Sequence, residues 1–89
     1  MATVFVTSEV EDYDNWRKVF DDSGDIRDKY RVAAQRVYRE SDNSNMITVI
    51  IDGEMDDLQT FAKSTDLYEA MTQAGVVGLP KMGYFVDVT

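Results

Sequence analysis

Histidine and cysteine are absent from this 89-residue chain, proline occurs once, and nine Lys and Arg face seventeen Asp and Glu. Without cysteine there is no disulfide, no thiolate nucleophile and no Cys-ligated zinc or iron–sulfur centre. Without histidine, Ser-His-Asp and Cys-His catalysis are excluded, as are the commonest metal ligand and the one side chain that ordinarily titrates near neutrality. A formal charge of −8 and a pI near 4.2 repel nucleic-acid phosphates and anionic lipid, so neither is expected as a partner. No apolar run approaches a membrane span, and residues 1–6 lack the basic start of a signal peptide, which points to a cytoplasmic location.

What is present is an ordinary globular composition, 44% hydrophobic and 29% charged, without long polar tracts. One domain over residues 1–89 is expected, near the size at which association adds useful buried area. The organising stretch is Met46-Ile47-Thr48-Val49-Ile50-Ile51. It is uncharged, rich in β-branched residues and too short for a buried helix, and it reads as a strand covered on both faces.

Residues 2–10 form the first expected strand. Asp12 caps a helix whose apolar positions Trp16, Val19, Phe20, Ile26 and Tyr30 recur at helical spacing, with a kink expected near Gly24. Residues 35–40 read as a strand paired antiparallel with the opening run, with Arg36 and Tyr38 on the face opposite Val37. Residues 41–45 suit a hairpin loop. After the central strand, Asp56 and Gln59 resemble a capping box for a short helix carrying Leu58, Phe61 and Ala62. A second helix follows, capped by Ser64, Thr65 or Asp66, with the stripe Leu67, Ala70, Met71 and Ala74, and stopped by Gly75. Val76-Val77-Gly78-Leu79-Pro80 is expected to lie against a surface, and residues 82–88 to close the chain as the fourth strand.

This order predicts an α+β, ferredoxin-like βαββ(αα)β fold with a four-stranded antiparallel sheet and helices on one face. The bare sheet face then calls for a second copy, giving a homodimeric α+β barrel. Trp16, Phe20, Phe61, Tyr68, Met71 and Tyr84 are candidates to line an apolar pocket, or else they fill the core; Tyr38 and Tyr84 are the better candidates for accessible hydroxyls. Arg36 and Arg39, or Arg27, are candidates to hold a carboxylate or enolate oxygen, against the plainer reading of surface ion pairs. The acidic pairs match no calcium loop, and Gly75-Val76-Val77-Gly78 follows a helix and lacks the lysine of a phosphate cradle. No metal and no cofactor is expected.

Val4-Phe5-Val6, Asp12-Tyr13-Asp14-x-Trp16 with Phe20, Arg36-Val37-Tyr38-Arg39, the loop over 42–45 and Met71-x-x-Ala74-Gly75-Val76 with Gly78 and Pro80 together resemble the dimeric α+β-barrel proteins of the antibiotic-biosynthesis-monooxygenase-like group. The resemblance spans nearly the whole chain and implies a pocket between sheet and helices. It implies a small-molecule-binding homodimer, with cofactor-independent monooxygenase, cyclase or isomerase chemistry on an apolar or aromatic metabolite as one outcome. A non-catalytic ligand-binding or structural dimerisation module is the other. Haem-degrading and cyclase members of that group use histidine, which this chain lacks, so haem degradation of that kind is excluded.

Overall fold

Alternation in the strand β1 (Ala2–Val10) divides the molecule into two faces. Ala2, Val4, Val6, Ser8 and Val10 are buried beneath the helices, while Phe5 and Glu9 are exposed on the other side, as the period of two requires. A computed structural model describes residues 1–89 and places seven further elements after β1. They are α1 (Tyr13–Asp22), α2 (Gly24–Lys29), β2 (Ala33–Glu40), β3 (Asn43–Gly53), α3 (Met55–Ala62), α4 (Thr65–Gln73) and β4 (Val76–Val86). The sheet is antiparallel throughout, in the order β2-β3-β1-β4, with the helices packed on one face: the expected ferredoxin-like α+β arrangement. No helix is long and apolar enough to cross a membrane.

The expected pairing of the 35–40 strand with the opening run is not formed. β2 pairs only with β3, Val37 standing opposite Val49. The turn at Ser41 and Asp42 is short enough to fold β2 directly back on β3, and β1 already has β3 on one side and β4 on the other. A register shift between Ala34 and Arg36 leaves Ala34, Val37 and Arg39 on the helix face and Arg36 and Tyr38 on the open one.

Asp12 caps α1 by accepting from the Asp14 N–H at 3.3 Å. Ser23 interrupts the helical path where a kink near Gly24 is expected, its hydroxyl donating to the Val19 carbonyl at 2.6 Å. The Asp56–Gln59 capping box is absent. Glu54 is the N-cap residue of α3 and makes no side-chain cap bond, so Asp56 and Asp57 sit inside the first turn, where their charge favours the helix dipole. Ser64 does cap α4, accepting from the Leu67 N–H at 3.1 Å. Gly75, at φ +75°, ends that helix in the left-handed region that glycine enters freely.

The segment Val76-Val77-Gly78-Leu79-Pro80, expected to rest on a surface, is instead the first part of β4, with Val76 opposite Val10 and Val77 opposite Glu9. The ladder then breaks, resuming at Lys81 opposite Thr7, and Leu79 in the break is 95% exposed. Pro80 is tolerated because β4 is an edge strand, and the strand ends at Val86 instead of running to 88.

The core is a single cluster in which Val4, Ile47, Val10 and Leu58 are the most deeply buried side chains. In β3 Ile47, Val49, Ile51 and Gly53 are buried on one face; Met46, Thr48 and Ile50 on the opposite face are half-buried. One copy of the chain therefore covers one face of the strand, not both. The open face carries Phe5 packed edge-to-face on Phe85 at 5.0 Å, next to paired Thr7 and Thr48 hydroxyls 2.9 Å apart and a Thr3 hydroxyl donating to Asp52 at 2.6 Å.

Candidate functional site

On α1 the spacing of Tyr13, Trp16 and Phe20 places three rings on one helix face. Trp16 and Phe20 stack with centroids 5.1 Å apart and planes within 16°, and Tyr13 lies 5.9 Å from Trp16. A guanidinium closes each end of the row: Arg39 from β2 lies 3.9 Å over Tyr13 and Arg27 from α2 lies 4.2 Å over Phe20. Such cation–π contacts hold flat rings in place.

Beneath this row the helices do not fully meet the sheet. A cleft of about 80 Å³ lies between Val6, Ser8, Ile47, Val49 and Ile51 on the sheet and Trp16, Phe20, Ile26, Phe61, Leu67 and Met71 on the helices. Of its 17 lining residues 14 are hydrophobic, and the exceptions are Ser8, Ser23 and Arg27. Ser23 spends its hydroxyl on Val19, which leaves Ser8 and Arg27 as its polar handles. No Asp, Glu, Lys or Tyr lines it. The cleft can therefore desolvate and orient an apolar body, but it contains no carboxylate, amine or phenol to take a proton.

Arg27 forms no ion pair; the pairs of the chain are Arg17–Asp21, Lys29–Asp66 and Arg31–Asp57. Burial lowers the pKa of its guanidinium against the opposing attraction of Asp21, Asp28 and Asp25, and a guanidinium stays charged regardless. A second, more open groove shares Val19, Ser23, Ile26 and Ala70 with the cleft and is bordered by Asp22, Asp25, Asp66 and Glu69, so the approach is acidic. Across it, Lys29 (2.8 Å) and the Tyr30 hydroxyl (3.0 Å) both donate to Asp66, tying α2 to α4.

Of the residues singled out in the sequence, Trp16, Phe20, Phe61 and Met71 come together in the cleft. Tyr68 does not line it and is 71% exposed, because the inward stripe of α4 is Leu67, Ala70, Met71 and Ala74. Arg36 and Tyr38 lie on the open sheet face, opposite Ile50 and Thr48. Tyr84 pairs with Val4 on the helix side, outside the cleft lining. Ser8 was not singled out, although a small polar residue in the inward series Val4, Val6, Ser8, Val10 is the signal that marks it.

No protein-family model matches the sequence, and no curated protein matches it. Solved structures do. A candidate antibiotic biosynthesis monooxygenase from Bordetella bronchiseptica superposes with a TM-score of 0.80 at 12% identity, covering 99% of this chain and 97% of that one. A candidate antibiotic biosynthesis monooxygenase from Caulobacter crescentus CB15 gives 0.74 at 18% identity, over 99% and 90%. SnoaB, a cofactor-independent oxygenase from Streptomyces nogalater, gives 0.69 at 15% identity, over 99% and 93%. At these identities the likeness is one of fold, and a fold of this kind hosts many chemistries.

Proposed function

We propose that this chain, with its antibiotic-biosynthesis-monooxygenase-like fold, is a cytoplasmic homodimer that binds a compact apolar or aromatic metabolite between sheet and helices. Trp16 and Phe20 form one wall of the site, and Phe61 and Met71 complete it. The observation that carries this reading is the cleft itself: a largely apolar space left open beneath a braced aromatic row, in a chain small enough to need all its packing. Its size sets the ligand class. At about 80 Å³ it is smaller than the ~150 Å³ cavity that encloses benzene. A ring therefore enters with one edge towards the mouth, or pushes α1 and α2 apart at Ser23.

The homodimer is supported by the open sheet face. Phe5, Phe85, Ile50, Met46 and Tyr38 give it an apolar centre, and its charges, Arg36 and Lys81 against Glu9 and Asp52, balance on a chain of net charge −8. A locally neutral, partly apolar face on an otherwise acidic protein is suited to meeting its own copy. Native mass spectrometry at micromolar concentration is expected to give the dimer, and a monomer would overturn this part of the proposal.

A second reading, cofactor-independent oxygenation like that of SnoaB, is favoured by one observation, the Arg27 guanidinium free of any ion pair at the cleft. Such a group steadies negative charge developing on a bound substrate. With no proton acceptor lining the cleft, that substrate must be one that gives up its proton readily. Thermal-shift titration with one- to three-ring phenols and ketones, followed by oxygen uptake in air, separates the readings. Shifts without oxygen uptake support the binding protein, shifts with Arg27-dependent uptake support the oxygenase, and no shift with any compound overturns both.

A further inference from the structure

Ser8 is a hydrogen-bonding side chain on the sheet wall of the cleft, and nothing in the chain uses it. The residue is 7% exposed and lines the cleft, yet its hydroxyl has no partner among the side-chain hydrogen bonds. No fully enclosed polar side-chain atom of the protein lacks a partner, so this hydroxyl keeps its access to the open space. The local backbone explains why. Thr7 stands opposite Lys81 and Glu9 opposite Val77, so Gly78, Leu79 and Pro80 together face Ser8 alone. With Gly78 at φ +70° and Leu79 exposed, β4 bulges and supplies no register partner beside Ser8. An accessible hydroxyl in an otherwise apolar wall is a hydrogen-bonding group left free for a ligand, and alanine would fit the same place without it.

Resting on the cleft as a ligand site, we infer that Ser8 receives a neutral oxygen, a hydroxyl or carbonyl, at the head of the ligand whose apolar body lies against Trp16 and Phe20. The head is neutral because the sheet wall on which Ser8 stands is otherwise Val6, Ile47, Val49 and Ile51, where a charge loses its water, and the one charge lining the cleft, Arg27, comes from α2 on the helix side. Ser8 is thus a specificity-determining contact, selecting oxygen-bearing rings over hydrocarbons of the same shape.

The test titrates the wild-type chain and Ser8→Ala with phenol and with toluene, followed by protein NMR. A neutral hydrogen bond corresponds to roughly a three- to tenfold change in affinity. Phenol is expected to bind Ser8→Ala about that much more weakly, toluene to bind both proteins alike within about twofold, and ligand-free Ser8→Ala to melt no lower than wild type. In the wild type alone, phenol ring protons are expected to show NOEs to the Ser8 β-protons. Equal loss of both probes, unchanged phenol affinity, absence of the NOEs, or a Ser8→Ala chain that loses stability would each overturn the role of Ser8 while leaving the cleft as a binding site. Failure of both probes to bind the wild type would overturn the cleft reading, and this inference with it.

Discussion

Ala70→Leu should make the protein more stable and less able to bind. Ala70 lies on α4 where the apolar cleft meets the acidic groove, so a longer side chain there turns into space that is already empty. An enclosed cavity of about 80 Å³ costs ~2 kcal/mol at ~24 cal/mol per Å³. This one opens to solvent, and half that figure, ~1 kcal/mol, is the recoverable part. The added carbons give a similar answer: three at ~0.8 kcal/mol each, reduced by partial exposure and by ~0.5–1 kcal/mol of lost rotamer freedom. For a domain of this size ~1 kcal/mol raises Tm by about 4–8 °C. Urea denaturation and calorimetry at one fixed protein concentration measure the gain, and a phenol titration of the same variant measures the expected loss of binding. A destabilisation of ~1 kcal/mol or more, the signature of overpacking, would refute the claim of spare room; full phenol binding in a stabilised variant would refute the claim that the room is the site.

Leu58, fully buried where α3 meets β1, should cost ~2–5 kcal/mol when cut to alanine, read as a fall in the urea midpoint at constant m-value. Ser64→Ala removes the side-chain acceptor of the Leu67 N–H and should cost about 1 kcal/mol, with amide exchange accelerated in the first turn of α4. Asp66→Asn tests the tie between α2 and α4. Hydrogen bonds from Lys29 and then Tyr30 hold the Asp66 carboxyl below its ordinary value of 3.8, and Asp66 raises the Lys29 ammonium above 10.5. The wild type should therefore melt above Asp66→Asn between those pH values. That margin should shrink as pH falls below 3.8 and protonates Asp66, or rises above 10.5 and discharges Lys29. Both groups are exposed, so the margin should also shrink in high salt; a margin indifferent to pH and salt would mean the tie contributes nothing.

The parts of this molecule legible in its sequence are those set by local periodicity. Alternation through Val4, Val6, Ser8 and Val10 gives the inward face of β1, and the spacing of Trp16 and Phe20 and of Leu67, Ala70 and Met71 gives the helix faces that meet above the cleft. Asp12, Ser64 and Gly75 mark their helix ends by chemistry that acts within a few residues. The partner of β2 was not legible, because it depends on which strand edges are already occupied, a property of the whole sheet. The β4 bulge was hidden for a related reason: Gly78 and Pro80 look like loop residues until an edge strand makes room for them. Tyr68 illustrates a narrower limit, since neighbouring residues on a short helix differ by a large rotation, and Leu67 takes the inward place. The cleft itself follows from the distance at which α1, α2 and α4 settle over the sheet, and no window of sequence encodes that distance.

The claim on which the rest stands is that the space between sheet and helices receives the ligand. A methyl-resolved NMR titration of the wild-type protein with phenol tests it directly, because Val49, Ile51, Leu67 and Met71 line that space while Ile50 faces the opposite way beside Phe5. The expected result is saturable shifts in the first four with Ile50 unmoved. Shifts confined to Ile50 and Val77, or none that saturate, would contradict it.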